Sequence, residues 1–180
     1  MVVIPGLMAV FTFAPAQDVE MLGIGEKAPG FELPGTDGKT YTLESFGDAE
    51  VLTIIFTANH CPTAQAYEKR IKKFAAEYKP KHLSLVAISA NDPRAVRPDE
   101  LRYSDLNDSL EEMKIRAKER KFNFPYLYDG EKQQVSKKFG AVATPGFFTG
   151  PAADRLKPYV LKYFNSAGFG MGLNQRVAVY

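Results

Sequence analysis

The chain has 180 residues, enough for one domain with a substantial core, and its 45% apolar share excludes wholesale disorder. A formal net charge of +2 gives no reason to expect nucleic acid or an anionic membrane surface as a partner. The single cysteine, Cys61, excludes any intramolecular disulfide. With only His60 and His82 beside it and no C-x-x-C or H-x-x-x-H spacing, neither a metal site nor a cofactor is expected.

In chain order, the first segment is MVVIPGLMAVFTFAPAQ, apolar as far as Ala14 and ending in small residues. Ala14 and Ala16 form an A-x-A pattern, so residues 1–16 are read as a signal peptide, although the usual basic start is missing. The apolar run is shorter than the about 20 residues of a membrane span, and Pro5 interrupts it, so no stable span is expected. This reading places the mature protein in an exported compartment, periplasmic or secreted; without a signal it would be cytoplasmic. Residues 21–180 are read as a single domain, with 149–180 the least interpretable part.

GEKAPGFELPGTDGKTYTLESFG is rich in turn residues and suggests a hairpin around Asp37 and Gly38. VLTIIFT, residues 51–57, is a continuous apolar and β-branched run suited to a central strand covered on both faces. Tyr67, Ile71, Phe74, Ala75 and Tyr78 then recur at helical spacing. Pro62 suits the first helical position, which makes Cys61 the N-cap, and Lys79-Pro80 ends the helix. LSLVAIS, residues 83–89, is a second buried strand. Strand, helix and strand at this spacing predict a right-handed parallel βαβ unit.

NDPRAVRPDELRYSD is a long polar loop. Loops carry function on rigid scaffolds, but these residues alone indicate no more than a connector. Ser109 and Glu112 have capping-box spacing and open a helix with Leu110, Met113 and Ala117 on its apolar face. FPYLYD supplies a third strand, in which Tyr126 and Tyr128 are read as packing residues. EKQQVSKKFG is a short helix with Val135 and Phe139 inward and Gly140 as its stop. AVATPGFF is a short strand interrupted at Thr144-Pro145, and beyond Phe148 no helix is evident.

Cys61 therefore falls beyond the carboxyl end of a buried strand, where ligands gather in open α/β sheets. It also begins a helix, where unpaired N–H groups and the helix dipole favour negative charge. The thiolate is the reactive form of cysteine, and a helix start is one setting that lowers a thiol pKa. His60, if protonated, and Pro62 are candidate modulators of that pKa; alternatively His60 faces solvent and does nothing. A free cysteine can also be a small buried hydrophobe. The preceding strand, Pro62 and the small or polar neighbours Asn59, Thr63 and Ala64 favour the reactive reading.

Three stretches resemble the thioredoxin-like superfamily, and within it the redoxin group of alkyl hydroperoxide reductase and thiol-specific antioxidant proteins. They are GEKAPGFELPGTDGKTYTLESF, FTANHCP and VATP, in the right order from about Gly23 to Phe148. The resemblance implies an α/β fold, a thioredoxin-like three-layer sandwich with a central mixed sheet flanked by helices. It also implies that Cys61 is catalytic and that Thr144 and Pro145 contact substrate. A cis form is found in only about 5–6% of X–Pro bonds, but the resemblance implies it for Thr144-Pro145.

This sequence departs from the group at informative positions. Ala64 stands where C-x-x-C has its second cysteine, and Gln65 where C-x-x-x-C of copper-delivery proteins has one. Ile54 and Ala58 stand at the proline and threonine of P-x-x-x-T-x-x-C. The resulting expectation is a thiol-based oxidoreductase acting on a disulfide or peroxide through one cysteine, completed by an external thiol or reductase. The alternative is a catalytically degenerate binding module on the same scaffold.

Overall fold

The structure is a computed structural model that describes residues 20–23, 26–99, 101, 104–150 and 175–176. The proposed signal segment and most of 149–180 lie outside the described residues. Seven strands and three α-helices are found among them. The strands are β1 (Glu32–Pro34), β2 (Thr40–Thr42), β3 (Val51–Thr57), β4 (Leu83–Ser89), β5 (Tyr126–Tyr128), β6 (Gly146–Gly150) and β7 (Gln175–Arg176). The helices are α1 (Pro62–Tyr78), α2 (Leu110–Glu119) and α3 (Gln134–Phe139).

β3 is the centre of a mixed sheet ordered β5-β4-β3-β6-β7. It pairs in parallel with β4, Val51 opposite Leu83, and antiparallel with β6, Ile54 opposite Phe148. All seven β3 residues are buried, which is why the segment lacks the polar alternation of a half-exposed strand. Alternate residues of β3 feed two different cores. Leu52, Ile54 and Phe56 pack with Val86, Ile88, Phe148 and the α3 residues Val135 and Phe139. Val51 and Ile55 face the other way and pack with Leu83, Leu85, Phe147 and the α1 residues Tyr67, Ile71 and Phe74. A smaller cluster of Ala87, Met113 and Tyr126 seats α2 on the same side as α1.

The sheet thus lies between two layers, as the resemblance implies. β1 and β2 form the expected hairpin, with Gly38 at φ 83° in its turn. The hairpin docks on the β5 edge through a Gly35–Leu127 bridge and a Thr36 N–H to Tyr126 C=O bond of 2.9 Å. Gly140 ends α3 at φ 63°, and a β-carbon there would come 2.4 Å from the Glu20 oxygen. Only glycine allows the 20–22 segment to pass this closely and Leu22 N–H to reach Phe139 C=O at 3.1 Å.

Two local expectations are refined. Ser109 Oγ does accept the Glu112 N–H, at 3.3 Å, but the reciprocal half of the capping box is absent. The Ser109 N–H goes instead to Asn107 Oδ1, and the Glu112 carboxylate takes the Asn107 N–H. The strand expected to be interrupted at Thr144-Pro145 starts after it, at Gly146, because proline has no N–H for the ladder. No helix among the described residues is long and apolar enough to cross a membrane.

Candidate functional site

The site lies where β3 gives way to α1. Cys61 is the N-cap of α1, with φ −71° and ψ 115°, and Pro62 occupies the first turn. The Cys61 carbonyl accepts the first helical bond, from the Gln65 N–H at 3.0 Å. The thiol makes no capping bond and is partly exposed. Cys61 Sγ lies 3.6 Å from the Thr144 carbonyl oxygen, within reach of a weak S–H···O bond. The Thr144-Pro145 peptide is cis. Cys61 and the 144–145 turn, 83 residues apart in sequence, are therefore neighbours in space.

Behind the sulfur is a polar junction that is largely closed to water. Asp108 is fully buried. Its Oδ1 accepts the Asn59 N–H, while Oδ2 faces His60 Nδ1 and accepts from Asn91 Nδ2 at 3.1 Å. A carboxylate held this far from water needs such partners, since desolvating it alone would cost several kcal/mol. Asn59, 1% exposed, has its side chain satisfied at both ends. Its Nδ2 donates to the Asn107 C=O at 2.7 Å, and its Oδ1 accepts from the Tyr126 hydroxyl at 3.1 Å. Gln65 Nε2 donates back to the Asn59 carbonyl at 2.8 Å. Burial first, and then the nearby Asp108 charge, hold the Tyr126 phenol well above its ordinary pKa, so it stays a donor.

One open alternative is narrowed and two sequence readings are corrected here. His60 does not simply face solvent; its side chain is 20% exposed and its ring is held by Asp108. The long loop is more than a connector, because Asn91, Asn107 and Asp108, close to its two ends, clamp residues 59–60. Tyr126 packs in the core as expected, yet its hydroxyl joins the junction. The sequence offers little sign of these roles: Asn107 and Asp108 read as ordinary loop residues before a helix cap.

Next to the junction, Arg116 of α2 is buried against Glu68 of α1. Its Nε donates to Glu68 Oε1 at 2.8 Å, and Nη2 is 2.6 Å from the same oxygen without an aligned hydrogen bond. The pair ties the two helices together, and losing either member would strand a charge. Ile54 and Ala58, at the positions of the peroxiredoxin-type proline and threonine, are both buried and bring no hydroxyl toward the sulfur.

Residues 24–154 match the AhpC/TSA family. The chain belongs to that family. Its fold is accordingly that of the redoxin group, whose common chemistry is thiol-based oxidoreduction. An uncharacterized conserved protein from Geobacillus kaustophilus is 37% identical, with a TM-score of 0.62, over 77% of this chain and 68% of its own length. A hypothetical protein from Sinorhizobium meliloti is 34% identical, with a TM-score of 0.63, over 72% of this chain and 66% of its own. The redoxin chain thus spans about two thirds of each of these relatives. A peroxidoxin from Mycobacterium tuberculosis is 21% identical with a TM-score of 0.52 and covers 67% of each chain, a likeness of fold. No curated protein matches the sequence.

Proposed function

We propose that the protein is a single-cysteine thiol oxidoreductase whose main reaction is disulfide exchange at Cys61. The observation that carries this reading is the placement of Sγ: partly exposed, at the start of a 17-residue helix, and 3.6 Å from the Thr144 carbonyl. Helix N-termini favour the negative charge of an attacking sulfur. In the reaction, Cys61 sulfur attacks one sulfur of a disulfide, the old S–S bond breaks, and a mixed disulfide forms. The departing half leaves as a thiolate and takes up the proton that Cys61 gave up. An external thiol, or a reductase carrying one, then attacks the mixed disulfide and restores Cys61. Thr144 and Pro145 form the wall against which the substrate lies.

Peroxide reduction is the lesser arm of the proposal. It would oxidise Cys61 to a sulfenic acid, reduce the peroxide to an alcohol or water, and need two external thiol equivalents for return. The buried apolar Ile54 and Ala58 give no hydroxyl to orient a peroxide. A binding module with decayed catalysis is favoured by one observation: Ala64, where a resolving cysteine would stand, is 1% exposed and packed.

The test is second-order alkylation of the native protein by iodoacetamide at neutral pH, followed by intact mass. It is paired with dithiothreitol-supported turnover of a small disulfide and of hydrogen peroxide. The redox reading expects native Cys61 to react faster than in the urea-unfolded chain, and disulfide turnover that Cys61→Ser abolishes. Slow alkylation together with turnover equal to that of Cys61→Ser would leave the binding module.

A further inference from the structure

A second concavity begins one residue beyond Cys61. It is a cavity of about 610 Å³ between the N-terminal half of α1 and the C-terminal end of α2. Pro62, the residue after Cys61, and Gln65 line it from α1, and Lys121 lines it from just past the end of α2. Glu68 and Arg116 contribute their mutually neutralising pair to its lining. The remaining charges are unbalanced. Lys69, Lys72, Arg120 and Lys121 line it against a single further carboxylate, Glu119. Lys72 Nζ is tied to the Arg120 carbonyl at 2.6 Å, and Arg120 lies 3.7 Å from Glu68. Lys69 and Lys121 are exposed and have no ion-pair partner among the described residues.

We infer that this groove binds the carboxylate-bearing part of a small anionic disulfide or thiol that exchanges with Cys61. The inference rests on the proposed thiol chemistry and names the charge class of its substrate. Three observations support it. The volume falls within the about 300–1,000 Å³ of small-molecule sites. The surplus charge of its lining is positive, which raises the local concentration of anions. Pro62, which lines the groove, follows Cys61 directly, so the groove adjoins the helix start at which the sulfur stands. The step balances as thiol–disulfide exchange. The Cys61 sulfur is oxidised to the disulfide level, and the departing half is reduced to a free thiol, which carries away its carboxylate and the Cys61 proton.

The test uses matched reagents of opposite charge on the full chain. Dithiodipropionate and cystamine have two-carbon arms ending in carboxylate and ammonium respectively. Mixed-disulfide formation is followed by intact mass at low and at 0.5 M salt, in wild type and in Lys69→Glu/Lys121→Glu. The expected result is a preference for dithiodipropionate of about tenfold at low salt, after correction by an unstructured cysteine peptide. The preference should fall at high salt and disappear or reverse in the double variant. Thiodipropionate, the unreactive thioether, should slow the dithiodipropionate reaction in wild type and not in the variant. Both positions are exposed, and Lys69→Gln/Lys121→Gln serves if charge reversal disturbs the melt. Equal corrected rates, or a preference that survives loss of both lysines, would overturn the groove and leave the thiol reading standing. A Cys61 less reactive than the peptide toward both reagents, with no protection by thiodipropionate, would overturn both.

Discussion

Along β3 and the residues that follow it, the chain passes from one kind of interior to another. Ile54 and Phe56 lie in dry packing among Val86, Ile88, Phe139 and Phe148, where any apolar shape of the right volume would serve. Three residues past Phe56, Asn59 lies in an equally closed place but among directed partners: Asn107, Asp108 and Tyr126. The first region is stabilised by area removed from water, which is additive and non-directional. The second must satisfy every donor and acceptor, so it tolerates loss of a partner badly and also holds the backbone in one place. Cys61 follows directly from the second region. The strand supplies stability and the junction supplies position.

The largest expected effect tests the apolar half. Phe56→Ala should lower stability by about 3–5 kcal/mol, measured by urea unfolding, because a fully buried ring leaves a cavity that only partly collapses. Iodoacetamide alkylation of Cys61 in the folded fraction should change little. A loss of thiol reactivity as large as the loss of stability would break the distinction between the two regions.

Asp108→Asn tests the polar half and should cost about 1–3 kcal/mol, since the substitution keeps the shape but replaces one acceptor oxygen by a donor that faces other donors. Amide exchange should speed up at Asn59 more than at Ile54, and Cys61 alkylation should change more than in Phe56→Ala. Unaltered exchange at Asn59 would show that the clamp does not hold the cysteine turn.

The smallest effect sharpens the contrast by moving to a polar cluster that is open to water. In the hairpin, Asp37 accepts from the Tyr41 hydroxyl at 2.8 Å and from the Lys39 N–H at 3.2 Å. Burial alone would raise its pKa, but these bonds and the Lys39 charge outweigh burial and hold it below the ordinary carboxylate range. A depressed carboxyl stabilises the fold above its unfolded pKa of about 3.9, and that contribution fades as the pH falls through the folded value. Asp37→Asn should therefore cost a few tenths of a kcal/mol at pH 7 and progressively less as the pH falls below the unfolded value, read from melts across the acid range. A loss at pH 7 as large as that of Asp108→Asn would mean that burial is not what separates the two clusters.

The elements with strong periodicity were legible in advance. The seven-residue runs of β3 and β4, the α1 stripe, the capped start of α2 and the glycine stop of α3 each follow from local pattern and local sterics. Cys61 as N-cap was legible too, because a proline after a buried strand leaves few alternatives. The sequence leaves both alternatives for His60 open because its partner, Asp108, is 48 residues away. Tyr126 hides its polar role for a related reason: a tyrosine in an apolar strand looks the same whether or not its hydroxyl finds an acceptor.

The sequence by itself determined which segments are helix or strand, which faces are apolar, and that one sulfur stands at a helix start. These depend on interactions between residues a few positions apart. Only the tertiary structure decided that Asn91, Asn107, Asp108 and Tyr126 converge behind residues 59–60, that Thr144 lies against Sγ, and that cations from α1 and α2 share one groove. Those contacts join residues far apart in the chain. They exist because burying the apolar faces brings the strand ends together and leaves their polar groups no solvent except one another.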